Sequence, residues 1–287
     1  MNLARTRALL PRVEWRAVVG STNAELRALA LGGAEGAPHG TLVAAAEQTA
    51  GRGRAGRGWE TPPGTALAMS VLIRDFGRDR EALPLGWLPL LAGSAVTATL
   101  QPLFGAGLRV GTKWPNDVHV RDEGDAEAGR PGRKLCGILC EVVPGGPAGE
   151  AGEPSPAVVV GIGINVLIPE WRLPTERATS LLTAGAEVPR LETFDGPGGA
   201  ELVDGLLAGI SGELLRLVAL AEADPGAARA RVLRHSLTLG AEVRVHLPGD
   251  KVVDGRAVAL ADGGELVVDL PTGGRLTVSA ADVEHLR

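Results

Sequence analysis

The sequence predicts an α/β (α+β) chain ending in a small all-β module, and three features predict it. Two apolar runs, Thr65 to Arg74 (TALAMSVLIR) and Pro156 to Val166 (PAVVVGIGINV), are rich in β-branched residues and continuous rather than alternating, as buried strands are. Stretches with helical spacing accompany them, from about Gly86 to Leu103 and from Thr175 to about Arg234. From Gly240 the texture changes to short alternating segments, EVRVHL, RAVALADGGELVVDL and RLTVSA, separated by PGD, DGG and TGG turns. That is the pattern of a small β-barrel of about fifty residues. The expected domains are therefore 1–236 and 237–287.

The chain has 287 residues, 45% of them hydrophobic, enough for one large core and a small one. Lys+Arg 29 against Asp+Glu 34 leaves a net charge of −5, the wrong sign for a protein that grips a nucleic-acid backbone. The N-terminus has no long apolar run or small-residue cleavage pattern, and no membrane-length apolar stretch occurs, so a cytoplasmic protein is expected. Cys136 and Cys140 share one face of a strand, too far apart to bridge and without a histidine partner, and read as apolar thiols. His246 and His285 lack ligand-spaced partners and read as surface residues.

Composition sharpens the search for function. The chain has 41 glycines and no tyrosine, and its polar residues are biased to arginine, so the rare ones are informative. Lysine occurs only at Lys113, Lys134 and Lys251, asparagine only at Asn2, Asn23, Asn116 and Asn165, glutamine only at Gln48 and Gln101. Most of them fall in short motifs. Gly20-Ser21-Thr22-Asn23 opens a helical pattern, with Thr22 and Glu25 at the spacing of a capping box; the exposed N–H groups beside Ser21, Thr22 and Asn23 also make a polar wall for a neutral ligand group. Gln48 to Trp59, QTAGRGRAGRGW, sets Arg52, Arg54 and Arg57 among Gly51, Gly53, Gly56 and Gly58 without an aliphatic anchor, and reads as a mobile lid that clasps an anion. A dinucleotide fingerprint is excluded there because Trp59, Pro62 and Pro63 forbid the helix it needs, and a plain solvated linker is the bland alternative.

LRVGTKWPNDVHV reads as strand, turn, strand. Pro-Asn-Asp is ordinary turn chemistry, but Lys113 beside Trp114 in a lysine-poor chain asks for another reason. Arg121 to Arg133 reads as an exposed charged hairpin loop. Lys134 begins the next strand, whose interior Gly137 marks a place of close approach. In GIGIN, Gly161 and Gly163 let something flat lie against a strand that ends in Asn165, a pattern suited to a nucleobase or its sugar.

The ordered set GSTN, GRGRAGRGW, KWPND, KLCGIL with Glu141, and GIGIN resembles the biotin–protein ligases, from Val18 to the C-terminus. The resemblance implies a mixed-sheet catalytic domain of the class II aminoacyl-tRNA synthetase and lipoyl ligase type, followed by an SH3-like β-barrel. It also implies the chemistry: the biotin carboxylate attacks the α-phosphate of ATP, and a lysine of a biotin carboxyl carrier domain then attacks the biotinyl-5′-AMP. Two departures matter. Ala55 stands where many relatives carry arginine, and twenty residues precede Ser21, too few for the winged helix-turn-helix of the repressor members. A ligase without DNA binding is expected, as monomer or homodimer.

The resemblance assigns Ser21, Thr22, Asn23 and Gln48 to the ureido ring, with Arg52, Gly53, Arg54, Lys134 and Gly137 completing the biotin site. Arg57, Trp59, Asn116, Gly163 and Asn165, again with Lys134, receive the nucleotide. Lys134, Arg52, Arg54, Lys113 and Asp117 are the catalytic set, and Asp117 is the expected Mg²⁺ ligand. The rivals are a lipoate or octanoate ligase of the same fold and a non-enzymatic biotin sensor.

Overall fold

The computed structural model describes residues 1–33, 35–77, 82–144, 157–247, 249, 251–279 and 282–286. The elements run α1 (Ala4–Leu9), β1 (Val13–Arg16), α2 (Thr22–Leu31), β2 (Leu42–Ala45), β3 (Ala66–Arg74), α3 (Leu88–Leu100), β4 (Arg109–Lys113), β5 (Asp117–Arg121), α4 (Glu123–Glu127), β6 (Arg133–Val143), β7 (Ala157–Asn165), α5 (Gly199–Ala223) and α6 (Pro225–His235). A second set of strands follows: β8 (Glu242–Leu247), β9 (Lys251–Leu260), β10 (Leu266–Asp269), β11 (Arg275–Val278) and β12 (Asp282–His285). The first sheet has seven strands in the order β1-β2-β3-β7-β6-β5-β4 and is mixed, with β1 parallel to β2 and the other pairs antiparallel.

The continuous apolar runs are the sheet's centre. β3 and β7 pair without interruption from Ala66 opposite Asn165 to Arg74 opposite Ala157, and β7 is buried throughout. Alternate residues separate into two faces, as the pleat requires. Leu67, Met69, Val71 and Ile73 of β3 join Val160, Ile162 and Ile164 of β7 in the main core. That core is closed by α3, apolar nearly all round, and by the long α5 packed across it. The opposite face is covered differently. Leu26 and Ala30 of α2 pack on Leu72, Val143 and Val159 in a smaller cluster, so α2 shields one end of it. The remaining positions on that face carry Ala68, Ser70, Gly137, Gly161, Gly163 and Asn165, small or polar residues with little to offer a core, and there the sheet stays open.

Three expectations are corrected. The cap of α2 is Ser21, whose Oγ accepts from the Ala24 N–H at 3.5 Å, so Thr22 is already helical; Glu25 pairs with Arg16 at 2.7 Å instead of closing a capping box. Residues 175–198 are turns rather than helix, tied down by Ser180 Oγ donating to the Ile168 carbonyl at 2.7 Å. The 121–133 stretch folds its acidic run into α4, capped by Asp122 accepting from Asp125 N–H at 2.7 Å.

The C-terminal module is a five-stranded antiparallel sheet in the order β11-β10-β9-β8-β12. It docks on the tip of the β4–β5 hairpin. Trp114 is 4% exposed, its backbone N–H donates to Thr238 Oγ1 at 3.0 Å and its indole N–H to the Gly264 carbonyl at 3.1 Å. Trp87 likewise donates to the Asp262 carbonyl at 2.8 Å. Half of the KWPND motif is therefore explained by packing between domains. No helix among the described residues is long and apolar enough to cross a membrane.

Candidate active site

Over the open part of the seven-stranded sheet lies a cleft of about 520 Å³, lined by every residue that the resemblance gives a catalytic, biotin or nucleotide role. Five separate segments bring those residues there. The N-terminus of α2 brings Ser21, Thr22 and Asn23; the loop before β3 brings Gln48, Arg52, Gly53, Arg54, Arg57 and Trp59; the β4–β5 turn brings Lys113, Asn116 and Asp117; β6 brings Lys134 and Gly137; β7 brings Gly163 and Asn165.

One end of the cleft is neutral and densely hydrogen-bonded. Gln48 Oε1 accepts from the Thr22 backbone N–H at 2.8 Å and from its hydroxyl at 3.1 Å. Ser70 Oγ lies 2.8 Å from Thr22 Oγ1 and 2.6 Å from Asn23 Oδ1. Asn23 Nδ2 donates to Glu141 Oε2 at 2.7 Å and to the Leu139 carbonyl at 3.2 Å. Gly161 exists for this arrangement, because a Cβ there would overlap the Asn23 carboxamide.

The middle of the floor is bare. Gly137 and Gly163 face each other across the β6–β7 ladder, and the flat group lying on them is the chain's own Trp59. A Cβ at Gly163 would overlap the indole, and one at Gly137 would come within 2.9 Å of it. Trp59 therefore occupies the space over these glycines that their lack of a side chain leaves for a flat group. Among the described residues Trp59 Nε1 is buried without a partner, and so is Asn165 Oδ1, while Asn165 Nδ2 donates to the Thr179 carbonyl at 2.9 Å. An unmatched donor and an unmatched acceptor in one cleft are what a ligand with both functions would satisfy.

The other end is cationic. The Lys134 ammonium lies 2.7 Å from Asp117 Oδ1 and 5.6 Å from the centre of the Trp59 ring, a cation–π distance. Arg54 reaches across from the loop to donate to Asn116 Oδ1 at 3.1 Å, and Asn116 is fixed in turn by donating to the Ile138 carbonyl at 2.7 Å. Burial pushes the Asp117 carboxyl up, but the neighbouring His119 and the Lys134 ammonium outweigh it and hold the group at about 2. His119 is buried, 4.0 Å from the other Asp117 oxygen, and burial pushes its imidazole down. Lys113 lines the cleft while its ammonium donates to the Val283 carbonyl of β12 at 2.7 Å.

These contacts bear on the expected metal. Asp117 is engaged by Lys134, and among the described residues no group of three His, Cys, Asp or Glu side chains could hold an ion. Asp117 therefore anchors Lys134 and is also the carboxylate that the β4–β5 turn presents to the cleft.

The arginine loop has more order than its composition suggests. It folds into a hairpin, with Arg52 bridged to Gly58, Gly53 N–H donating to the Arg57 carbonyl at 2.7 Å and Trp59 N–H to the Gly51 carbonyl at 3.0 Å. Ala55 and Gly56 at its tip both have positive φ, 53° and 73°, the pattern of a I′ turn. Glycine suits that geometry and alanine is strained in it.

Some lining residues have no motif to announce them. Ser70 is the one hydroxyl in a buried apolar strand, a signal present in the sequence. Thr175, Arg177 and Ala178 come from the stretch read as helix, and Val283 and Glu284 from the second domain. Their arrival depends on tertiary packing alone. His285, read as a surface residue, is half-buried at the domain seam, with Nε2 3.3 Å from Thr238 Oγ1. The two thiols are as expected: both are free, and burial pushes Cys136 far up and Cys140 to about 12.

Comparison with known proteins supplies a context for this geometry. The biotin/lipoate A/B protein ligase family matches residues 18–165, and the biotin protein ligase C-terminal domain matches residues 238–286. A biotin–[acetyl-CoA-carboxylase] ligase of Mycobacterium tuberculosis is 39% identical over 274 residues, covering 94% of this chain and 88% of that protein. A bifunctional ligase/repressor BirA of Bacillus spizizenii is 36% identical over 156 residues, 53% of this chain and 41% of that protein. The biotin protein ligase from Aquifex aeolicus, solved in complex with biotin and ATP, aligns with a TM-score of 0.66 at 25% identity, over 96% of this chain and 100% of that one. With one match running through the cleft and the other through the domain that borders it, the chain belongs to the biotin/lipoate A/B protein ligase family and, within it, to the biotin protein ligases.

Proposed function

We propose that this chain activates biotin with ATP to biotinyl-5′-AMP and transfers the biotinyl group to a lysine of the biotin carboxyl carrier domain of a carboxylase. The observation that carries the reading is the polarity of the cleft: a neutral, hydrogen-bonded end at Ser21, Thr22, Asn23 and Gln48, a cationic end at Arg52, Arg54 and Lys134, and a glycine floor between them. A urea is neutral and both donates and accepts, so it suits the first end. A carboxylate meeting an α-phosphate brings two anions together and suits the second.

The first step forms a bond from the biotin carboxylate oxygen to the α-phosphorus and releases pyrophosphate. Lys134, held by Asp117, and the Arg52 and Arg54 guanidiniums stabilise the charge that builds on the phosphoryl oxygens and keep the two anions in line. Trp59 supplies a flat apolar face, and Asn116, Arg57, Gly163 and Asn165 border the nucleotide's place. In the second step the acceptor amine attacks the mixed anhydride and AMP leaves. Mg²⁺ would ride on the nucleotide's phosphates, with Asp117 the carboxylate of the cleft placed to share it. The domain boundary falls between 236 and 237, just after α6.

Mass spectrometry of the products from protein, biotin and MgATP tests the reading, with lipoate and octanoate as parallel substrates. Biotinyl-5′-AMP formed with biotin alone is the expected result. Adenylate formed with lipoate or octanoate instead transfers the chain to the other branch of the family, and no adenylate with any acid removes the activity.

A further inference from the structure

We propose that Glu141 is a positioning residue for recognition of the biotin ureido ring, acting through Asn23. The inference rests on the biotin reading above and adds a residue that touches no substrate in it.

The argument is one of hydrogen-bond valence. The Asn23 carboxamide has two N–H donors and one acceptor oxygen. Both donors are used inward: one meets Glu141 Oε2 at 2.7 Å and the other the Leu139 carbonyl at 3.2 Å. The oxygen meets Ser70 Oγ at 2.6 Å and keeps a second lone pair. Asn23 is 5% exposed and lines the cleft, so what it offers a ligand is acceptor capacity only. The matching ligand group is an N–H, which a urea has and a dithiolane or a fatty chain lacks. A ligand without it leaves a buried acceptor short of a partner.

Glu141 decides that orientation. The Leu139 carbonyl accepts only one N–H of the amide, and the longer contact is the weaker of the two. The carboxylate supplies the short, charge-assisted bond. Without it the carboxamide is free to turn, which would aim N–H groups at the cleft, donor against donor on the urea. Gly161 shows that the position is built for this carboxamide, since any side chain there displaces it. Glu141 itself is half-buried at the edge of the sheet face, where a carboxylate contributes little to packing.

The test compares Glu141→Gln, which keeps an acceptor oxygen for Asn23, with Glu141→Leu, which removes it, in biotin-dependent pyrophosphate release. Glu141→Leu is expected to raise KM for biotin tenfold or more with KM for ATP within twofold and kcat little changed; Glu141→Gln is expected to stay within about threefold of the wild type in all three. Should Glu141→Leu fail to fold, Glu141→Asp, which withdraws the carboxylate by one methylene, carries the same expectation for biotin alone. A biotin KM unchanged in Glu141→Leu, or biotin and ATP constants rising together, overturns the positioning role. No biotin-dependent release by the wild type overturns the ligase reading itself, and this inference with it.

Discussion

Lys134 is the residue on which the cationic end depends. Its ammonium is held by one carboxylate and one indole face and packs in no core, so its removal subtracts charge more than structure. Lys134→Ala is expected to lower biotin-dependent pyrophosphate release by roughly 10²-fold to 10³-fold, the usual effect of losing one preorganised stabilising group, with thermal unfolding checking that the fold persists. A variant within tenfold of the wild type would move the chemistry elsewhere. At this scale the sequence is unusually legible, because in a chain with three lysines and four asparagines a retained one marks a requirement. The same reasoning does not by itself assign a role to Lys113 or Trp114. Both stand out by rarity, yet Trp114 fills the seam between domains and Lys113 bonds a backbone carbonyl of the second one. Rarity marks a constrained position without saying whether the constraint is catalysis or packing.

At the scale of elements, legibility follows burial. β3, β7 and α3 are read within a few residues because they are apolar on nearly every side, and a continuous apolar run has few other places to go. The 175–198 stretch is misread although Pro189, Pro197 and the glycines at 185, 196 and 198 argue against a helix, and local bonding through Thr179, Ser180 and Thr183 completes the turns. The arginine hairpin is the element where local order and function meet. Its backbone bonds are internal, but Arg54 also ties it to Asn116 across the cleft. Hydrogen exchange should therefore find the Gly53 and Trp59 amides slowed even without ligand, with further slowing when biotinyl-5′-AMP is present; unchanged exchange on ligand addition would mean the hairpin is no lid. Arg54→Gly removes the guanidinium and the Asn116 bond, about 1.5 to 3 kcal/mol of retention if the contact is charge-assisted, or roughly tenfold to a hundredfold. The variant should still form adenylate but release it, labelling the lysines of an unrelated protein such as albumin in a biotin blot. Labelling as selective as the wild type's, with adenylate still produced, would show that the hairpin does not hold the intermediate.

At the scale of the molecule, the second domain borders the cleft, and the seam that seats it there includes an imidazole that acid disturbs. Val283 and Glu284 line the cleft, and β12 is held against the catalytic sheet through the Lys113 bond to the Val283 carbonyl. Next to that bond sits His285. Burial pushes its imidazole down, and the positive charges of Lys113 and Arg121 push it further, to about 3. The consequence for stability has a definite sign. A histidine neutral in the folded chain but free to protonate when unfolded, near 6.5, contributes its full stability above that pH and loses it as pH falls from 6.5 toward 3, because the unfolded state then binds the extra proton. At pH 5.5 the unfolded imidazole is about ten to one protonated, which costs the folded state on the order of 1 kcal/mol. His235, pushed down to about 4 by burial and by Arg231 and Arg234, adds a loss of the same sign away from the cleft, so the comparison must isolate His285. Denaturant unfolding at pH 7.5 and 5.5 should show the wild type losing about 1 kcal/mol more than His285→Gln, which cannot protonate in this range and keeps a donor for Thr238. If the two proteins lose equal stability, His285 is solvated as the sequence alone suggests, and the seam is looser than the packing of β12 against Lys113 implies.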